Sequence, residues 1–412
     1  MISCTARSQG VSTEPPPTPE KATLLSATPA PESVKNEMPP LLALDNYKKT
    51  ILSRWQRLED QGVLIETLDG KHTLAELNAD NAFNPASVMK LATSLVALEK
   101  LSPSYRFRTN FYADGNIDKT AHKLSGDLVV EGNLDPMFSH FDAEQVAAEL
   151  FKLGISQVTG KLRIAGTFYF FARGYKSNLS RETSKIKLYE AFRRAGLKID
   201  GGTSFGEKSG APLLAHYSDI LTNLLLYQNA HSSNAIAEVI GEQLGGAEAI
   251  QKYLIENLQL QEAEVYVGRP SGLEFNRLTP RASLKILRAL VELLNHHSLK
   301  PEQLLPVAGV DQGTLGGRFA DDDWRGAILA KTGTLFTYDR GVSTLVGIAY
   351  TKARGALLFA IFNSDGRIHA YRHLQDNFLE QTIEELGGAN ALARKAAALE
   401  DNKMASIVQR LY

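Results

Sequence analysis

Three short polar motifs occur along the chain, each at a different kind of local structure. Ser87-Val88-Met89-Lys90 lies where an apolar helical pattern begins, Ser232-Ser233-Asn234 lies between two such patterns, and Lys331-Thr332-Gly333-Thr334 ends an apolar strand pattern. A fold that unites them must bring a helix start, a turn between helices and a strand together. Helices that flank a sheet of hairpin-connected strands meet this condition, so the chain is predicted to be α/β (α+β).

The first motif places a lysine three residues after a serine. On a helix these positions share a face, so the Lys90 amine can reach the Ser87 hydroxyl. A serine needs a neighbouring base to become a strong nucleophile, and a lysine is such a base only if burial or a nearby cation lowers its pKa. The competing interpretation is an ordinary helix start after Pro85. A second match at 184–187 lies in a Lys/Arg-rich stretch and is interpreted as a solvated face.

The second motif has a structural and a chemical interpretation. Ser and Asn are common turn and N-cap residues, and by itself the triplet favours that role for Ser232 and Asn234. In the chemical interpretation, Ser232 passes a proton to a leaving amine and Asn234 binds substrate amide groups.

The third motif ends a strand with a lysine, two threonines and a glycine. A peptide can lie along such a strand edge and gain backbone hydrogen bonds in fixed register. Lys331 would supply positive charge for a carboxylate, Thr332 and Thr334 would donate hydroxyl hydrogens, and Gly333 would leave room for the peptide. The alternative is an ordinary strand end. Together, the order and contexts of the three motifs favour a site for serine acyl transfer.

Charge and composition exclude several classes of protein. The 412 residues carry 45 basic and 46 acidic side chains, whereas a nucleic-acid or anionic-membrane partner needs a concentrated basic surface. The sequence has no run of 18 or more apolar residues, so no membrane-spanning helix is predicted. A single cysteine excludes a disulfide within the chain and a cysteine-based zinc site.

That cysteine, Cys4, precedes a Pro-rich segment, as the lipid-modified cysteine of bacterial lipoproteins does. An export signal is not visible, because only three residues come before Cys4. Two interpretations stay open: the true start lies further upstream and Cys4 is lipidated, or Cys4 is an incidental thiol of the tail.

The chain is predicted to contain two domains and two tails. Residues 1–40 hold eight of the 16 prolines and are predicted to be a disordered tether. Residues 41–105 and 203–390 form the main domain, and 106–202 form an inserted, mostly-β accessory domain. Residues 391–412 are predicted to be a C-terminal helical tail.

Apolar periodicity predicts the elements. A first helix begins near Leu41 and carries Leu42, Tyr47, Ile51, Trp55 and Leu58 on one face. Further helices are predicted at 88–101, 219–228, 235–244, 282–295 and 371–386, and strands at 63–67, 73–77, 128–130, 162–164, 327–330, 344–350 and 357–362.

Further segments give the chain a family resemblance. They are Asn84-Pro85-Ala86-Ser87, Gly126-Asp127-Leu128, Gly132-Asn133-Leu134-Asp135-Pro136, Ser271-Gly272-Leu273, and Leu305-Pro306-Val307-Ala308-Gly309 with Gly313-Thr314-Leu315. The three motifs also occur in class A β-lactamases and penicillin-binding proteins. From about Gly62 to Gly388 the chain resembles the class C low-molecular-mass penicillin-binding proteins (D-alanyl-D-alanine carboxypeptidase/endopeptidase). The 145 residues from Ser87 to Ser232 match the place of that family's accessory domains, although this insertion is shorter.

The resemblance implies a serine β-lactamase/DD-peptidase-like domain of three layers. A five-stranded antiparallel sheet would be flanked by helices on both faces, with the K-T-G strand at its edge. The implied substrate is a peptidoglycan stem peptide that ends in D-Ala-D-Ala or carries a D-Ala-to-diamino-acid crosslink, which makes the site extracytoplasmic. Asp135 would help to recognise the substrate side chain.

The implied chemistry is that of a serine-type D-Ala-D-Ala carboxypeptidase and/or endopeptidase. Ser87 would be acylated, with Lys90 as its base and the backbone N–H groups of Ser87 and Thr334 around the oxyanion. Lys331 and Thr332 would bind the terminal carboxylate. Penicillins would acylate Ser87 as well, and no metal or organic cofactor is required.

Two alternatives stay open. A β-lactamase or esterase on the same fold would release hydrolysed penicillin rapidly. A catalytically silent peptidoglycan-binding protein would bind the cell wall without releasing D-alanine, although such a protein has no chemical need for Lys90.

Overall fold

A computed structural model describes residues 41–171, 180–400 and 404–411. The predicted tether at 1–40, with Cys4, lies outside the described residues. Among the helices that are described, none combines the length and apolarity needed to cross a bilayer.

The described elements follow one another along the chain. The α-helices are α1 Leu42–Ser53, α2 Lys90–Leu101, α3 His140–Lys152, α4 Arg181–Arg194, α5 Leu221–His231, α6 Asn234–Gln243, α7 Gly246–Leu258, α8 Pro280–His296 and α9 Ile368–Glu385. The 3-10 turns are Leu58–Asp60, Ala86–Met89 and Pro301–Gln303. The strands are β1 Gln61–Thr67, β2 Thr73–Leu77, β3 Arg108–Asp118, β4 Lys123–Asn133, β5 Gln157–Val158, β6 Leu162–Thr167, β7 Lys198–Ile199, β8 Thr203–Phe205, β9 Ala211–Tyr217, β10 Val265–Tyr266, β11 Arg277–Leu278, β12 Ile328–Leu335, β13 Val342–Thr351, β14 Gly355–Asn363 and β15 Ile407–Arg410.

The first sheet has five antiparallel strands in the order β12-β13-β14-β1-β2. The central strands are buried almost throughout, because α2 and α8 cover one face while α1 and α9 cover the other. This arrangement confirms the predicted class, a sheet between two layers of helices. The K-T-G strand, β12, stands at its edge.

Helix α2 is enclosed by neighbouring elements. Residues 90 to 98 along it are all buried, and a helix that is apolar all round is one that its neighbours enclose. It packs against α5, α6 and α8. The lysine at its first position is therefore fully withdrawn from solvent.

The helices and strands predicted around the three motifs are confirmed, with small shifts of their ends. Helix α1 ends at Ser53, so Trp55 and Leu58 do not lie on it as predicted. Trp55 has a left-handed φ of +58° and is 97% exposed, so it cannot continue the helix. Helices α3, α4 and α7 are not predicted.

The strands of the predicted insertion lie in a second, eight-stranded sheet, with strand order β15-β9-β3-β4-β5-β7 and with β6 joined to β4 and β8. Helices α3 and α4 contribute to its own apolar core. The sheet extends beyond the predicted boundary at 202, because β9 pairs with β3 from Ala211 to Tyr217. The rest of the domain division stays a prediction.

The second S-x-x-K match lies on α4 and is packed differently from the prediction. Ser184 and Lys185 are buried. The Lys185 amine pairs with Glu182 at 2.7 Å and lies 4.4 Å from the centre of the Phe205 ring. The prediction of a solvated face is therefore wrong for these two residues, since they pack on the second sheet.

The predicted helical tail at 391–412 is wrong. The chain from 391 to 399 has no regular structure, and Ile407–Arg410 forms β15 against β9. The Arg394 guanidinium and the Ala397 N–H both donate to the buried Asp311 carboxylate, each at 2.8 Å. These long-range contacts outweigh the local helix propensity of an Ala-rich sequence.

Candidate active site

The candidate nucleophile lies on a tight turn at the start of α2. Residues Ala86–Met89 form a 3-10 turn, which runs directly into the α-helix at Lys90. A 3-10 turn has 3.0 residues per turn, so positions i and i+3 stand directly above one another. The S-x-x-K spacing therefore stacks the Lys90 side chain on Ser87.

The backbone before Ser87 is strained and is held from several sides. Ala86 has a φ of +47°, a conformation that residues with a side chain rarely adopt. Its N–H donates to the Asn84 side chain at 3.0 Å, and the Thr344 hydroxyl donates to the Pro85 carbonyl at 2.8 Å. Neighbouring elements thus fix the turn that presents Ser87.

The Lys90 amine has three polar neighbours. Its Nζ lies 2.9 Å from Ser87 Oγ, 2.7 Å from Asn234 Oδ1 and 2.6 Å from the Ser271 carbonyl oxygen. A neutral amine has two N–H groups and one lone pair. Because the amide and carbonyl oxygens can only accept, they take both N–H groups and leave the lone pair facing the Ser87 hydroxyl.

The surroundings of Lys90 favour this neutral form. The side chain is fully buried. Burial lowers the pKa of Lys90 well below its ordinary value, the nearby charge of Lys331 lowers it further, and Glu238 opposes the shift. The geometry and the electrostatics together give an amine that can accept a proton from Ser87.

The residues of the second motif lie beside the two lysines of the site. Ser232 ends α5 with a left-handed φ of +53°, and its Oγ lies 2.9 Å from the Lys331 amine. Ser233, rather than Ser232 or Asn234, is the N-cap of α6 and accepts from the Ile236 N–H. The capping role therefore falls to the middle residue, and the two outer residues contact the two lysines.

Lys331 lies on the edge strand and is also fully buried. Its amine donates to the Thr332 carbonyl at 2.6 Å as well as to Ser232. Burial lowers the pKa of Lys331 to about 7. The Thr332 hydroxyl donates to the Thr314 hydroxyl at 2.8 Å.

Gly333 is required by the packing of the strand. A Cβ at this position would lie 2.1 Å from Thr344 Oγ1 and 2.6 Å from the Pro85 carbonyl oxygen. The missing side chain thus lets β12 approach the turn that carries Ser87, in addition to any room that it leaves for a peptide.

The fold does not bring Asp135 to the residues of the three motifs. Its carboxyl group is 2% exposed and lies in the insertion, where Oδ1 accepts from the Met137 N–H and Oδ2 lies 3.3 Å from the His216 ring. The prediction that Asp135 contacts the substrate is therefore wrong, because a substrate side chain cannot reach a carboxylate buried against His216.

Three residues that contact the site have no role predicted from the sequence. The Ser271 carbonyl orients Lys90, Thr314 bonds to Thr332, and the Arg372 guanidinium donates to the Thr334 hydroxyl at 3.1 Å. The S-G-L and G-T-L segments mark the first two positions in the sequence. Arg372 has no sequence signal, since its neighbour on β12 is distant along the chain.

Comparison with known proteins shows the family of this chain. A family model described as the D-Ala-D-Ala carboxypeptidase 3 (S13) family matches residues 49–178 and 177–381. The Bd0816 predatory endopeptidase from Bdellovibrio bacteriovorus, in complex with immunity protein Bd3460, is 20% identical, with 84% of this chain and 99% of that chain covered and a TM-score of 0.73.

Two further structures share the fold. The penicillin G-acylated Bd3459 predatory endopeptidase from Bdellovibrio bacteriovorus is 23% identical, with 82% of this chain and 95% of that chain covered and a TM-score of 0.68. Penicillin binding protein 4 (dacB) from Haemophilus influenzae is 18% identical, with 77% and 95% covered and a TM-score of 0.63. Because the family model spans most of the sequence, this chain belongs to the D-Ala-D-Ala carboxypeptidase 3 (S13) family and is a serine peptidase of the class C low-molecular-mass penicillin-binding type.

Proposed function

We propose that the protein is a serine-type D-Ala-D-Ala carboxypeptidase and/or endopeptidase that acts on peptidoglycan stem peptides through an acyl-enzyme on Ser87. The observation that carries the proposal is the Lys90 amine, which is fully buried and lies 2.9 Å from Ser87 Oγ. Two obligate acceptors hold its N–H groups, so its lone pair is directed at the nucleophile.

Acylation begins with attack by Ser87 Oγ on the carbonyl carbon of the penultimate D-Ala. Lys90 accepts the hydroxyl proton as the C–O bond forms. The negative charge on the carbonyl oxygen is stabilised by the backbone N–H groups of Ser87 and Thr334. Both groups belong to backbone that packing holds in place before substrate binds.

Collapse of this intermediate breaks the C–N bond, and the leaving amine must gain a proton. Ser232 passes that proton, and the Lys331 amine at 2.9 Å resupplies it. Asn234 keeps Lys90 oriented and binds the substrate amide. Water then attacks the ester carbon and gives a proton through Ser232 to Lys331. Lys90 returns its proton to Ser87 as the ester C–O bond breaks, and the shortened peptide is released.

The substrate class is supported by the family and by the fold. The family description names D-Ala-D-Ala carboxypeptidases, and the chains of similar fold include endopeptidases and a penicillin-binding protein. Lys331 and Thr332 are proposed to bind the terminal carboxylate. Since peptidoglycan lies outside the cytoplasmic membrane, the proposed site of action is extracytoplasmic.

β-Lactams are proposed to acylate the same serine. Penicillin G acylates Bd3459, a protein with this fold. The bicyclic amide presents a carbonyl carbon and a carboxylate in an arrangement like that of D-Ala-D-Ala. The acyl-enzyme is expected to persist, because the leaving nitrogen stays tethered to the acyl group.

Product analysis tests the proposal. Purified enzyme should release D-alanine from uncrosslinked pentapeptide muropeptides, or cleave crosslinked dimers, and Ser87→Ala should do neither. Rapid release of hydrolysed penicillin would instead favour a β-lactamase. Wall binding without any cleavage would favour a silent binding protein.

A further inference from the structure

Arg372 stands beside the end of the K-T-G strand. It lies near the beginning of α9, and its guanidinium donates to the Thr334 hydroxyl at 3.1 Å. One turn later, the Gln375 side chain donates to the carbonyl of Ser343, the register partner of Thr334. Helix α9 is thus fixed to the two strands, and Arg372 is held at this position.

The charge of Arg372 is not balanced locally. Asp376, the nearby carboxylate, accepts from the Arg318 side chain at 2.8 Å. Within the described ranges, no carboxylate forms an ion pair with Arg372. Burial and the charge of Arg318 lower the pKa of Arg372, and Asp376 offsets this only in part. A half-buried guanidinium in such surroundings gains from an anion, which it can bind with two parallel N–H groups.

Lys331 is poorly placed to supply this charge alone. Its amine is fully buried and already donates to Ser232 and to the Thr332 carbonyl. Proton delivery through Ser232 also requires that Lys331 give up a proton. With a permanent cation beside Thr334, binding of the carboxylate does not depend on whether Lys331 has given up its proton, because arginine stays charged throughout.

We infer that Arg372, together with the Thr334 hydroxyl, joins Lys331 and Thr332 in binding the free α-carboxylate of the residue that leaves during acylation. This inference rests on the proposed function, since only a peptide cut at Ser87 brings that carboxylate to the end of β12. The expected substrates are then those whose leaving residue carries an unmodified α-carboxylate next to the scissile amide. C-terminal D-alanine meets this condition, and so does a crosslink whose diamino acid is not amidated.

Binding to an inactive protein tests the inference apart from catalysis. In a Ser87→Ala background, an N-acylated D-Ala-D-Ala peptide and its C-terminal amide are titrated by calorimetry. Arg372→Leu should weaken binding of the free acid by roughly 10- to 100-fold, the worth of a charge-assisted hydrogen bond, and change the amide little. Arg372→Lys should retain part of the preference for the acid, because lysine keeps the charge but lacks the two parallel N–H groups of the guanidinium.

Arg367→Leu is the matched control. It removes one positive charge from an exposed side chain at the N-cap of the same helix, and should bind both peptides like the parent. Equal weakening of acid and amide by Arg372→Leu, or none, would overturn the inference. If the leucine variant does not fold, the acid-to-amide ratio of Arg372→Lys decides in the same way. Failure of the wild-type enzyme to cleave any stem peptide would contradict the proposed function, which this binding assay does not measure.

Discussion

At the scale of single residues, the two buried lysines of the site differ in their neighbours, and we propose a different role for each. Both are fully buried, and burial lowers both pKa values. Lys90 contacts Ser87 and two oxygens that can only accept, whereas Lys331 contacts Ser232. We therefore assign proton abstraction to Lys90 and proton delivery to Lys331.

Replacing Lys90 by arginine should abolish the base while keeping a cation. A guanidinium does not lose its proton in proteins, so the rate of acylation by penicillin should fall by about 10²- to 10⁴-fold. Stopped-flow measurement of acylation checks this. Lys187→Arg, in the second S-x-x-K match, is the control and should acylate normally. A near-normal rate for Lys90→Arg would rule out Lys90 as the base.

The pH dependence of acylation reports the same amine. A lowered pKa means that Lys90 is neutral at higher pH, so the rate should fall as the pH drops below that pKa. Asn234→Asp would place a carboxylate 2.7 Å from the amine, which favours its charged form and raises the pKa. The acidic limb of the rate profile should then move to higher pH. A limb that stays in place or moves to lower pH would contradict this assignment.

At the scale of elements, the site depends on a close approach between β12 and the turn before α2. The contact passes through Gly333, where a Cβ would lie 2.6 Å from the Pro85 carbonyl. The strand and the turn are distant in sequence, so this approach sets the position of Thr334 relative to Ser87.

Gly333→Ala should separate the two elements. Overpacking of this kind typically costs about 1–3 kcal/mol of unfolding free energy, and acylation should fall because the oxyanion N–H groups move apart. Urea unfolding and penicillin acylation measure the two effects. Gly317→Ala is the control, since a Cβ there meets no atom within 4 Å. Unchanged acylation in Gly333→Ala would show that the approach does not matter.

Elements near the motifs are predictable from sequence, because their signals are local. Helix α8 has a Thr279 N-cap, a proline in its first turn and a regular apolar stripe, and β14 is a continuous apolar run from Ala356 to Phe362. The tail after 390 has local helix propensity, but contacts of Arg394 with Asp311 and the pairing of β15 determine its structure. Arg372 likewise depends on where α9 packs, which no local pattern encodes.

At the scale of the whole molecule, the second sheet has its own apolar core and a buried ionic cluster. His216 on β9 lies 3.3 Å from Asp135 and 3.0 Å from Asp142 on α3. Burial alone would lower the pKa of His216, but the two carboxylates outweigh it and raise the pKa to about 9. The cluster links the insertion's strands to its helix, so its role is structural.

The free energy of unfolding should therefore fall as the pH rises into the alkaline range. A raised histidine pKa adds stability that is fully present below the unfolded value of about 6.5 and is lost as the pH rises through about 9. The loss should be at most on the order of 3 kcal/mol. Urea unfolding between pH 6 and 10 measures it, with His216→Gln as the comparison. If wild type and His216→Gln lose stability equally over this range, the cluster does not titrate as described.

Peptide mass spectrometry after incubation with penicillin G is the decisive measurement for an acyl-enzyme on Ser87. We expect one penicilloyl adduct, on the peptide that contains Ser87, and none in the Ser87→Ala protein. An adduct on another residue, or one that persists in Ser87→Ala, would contradict it.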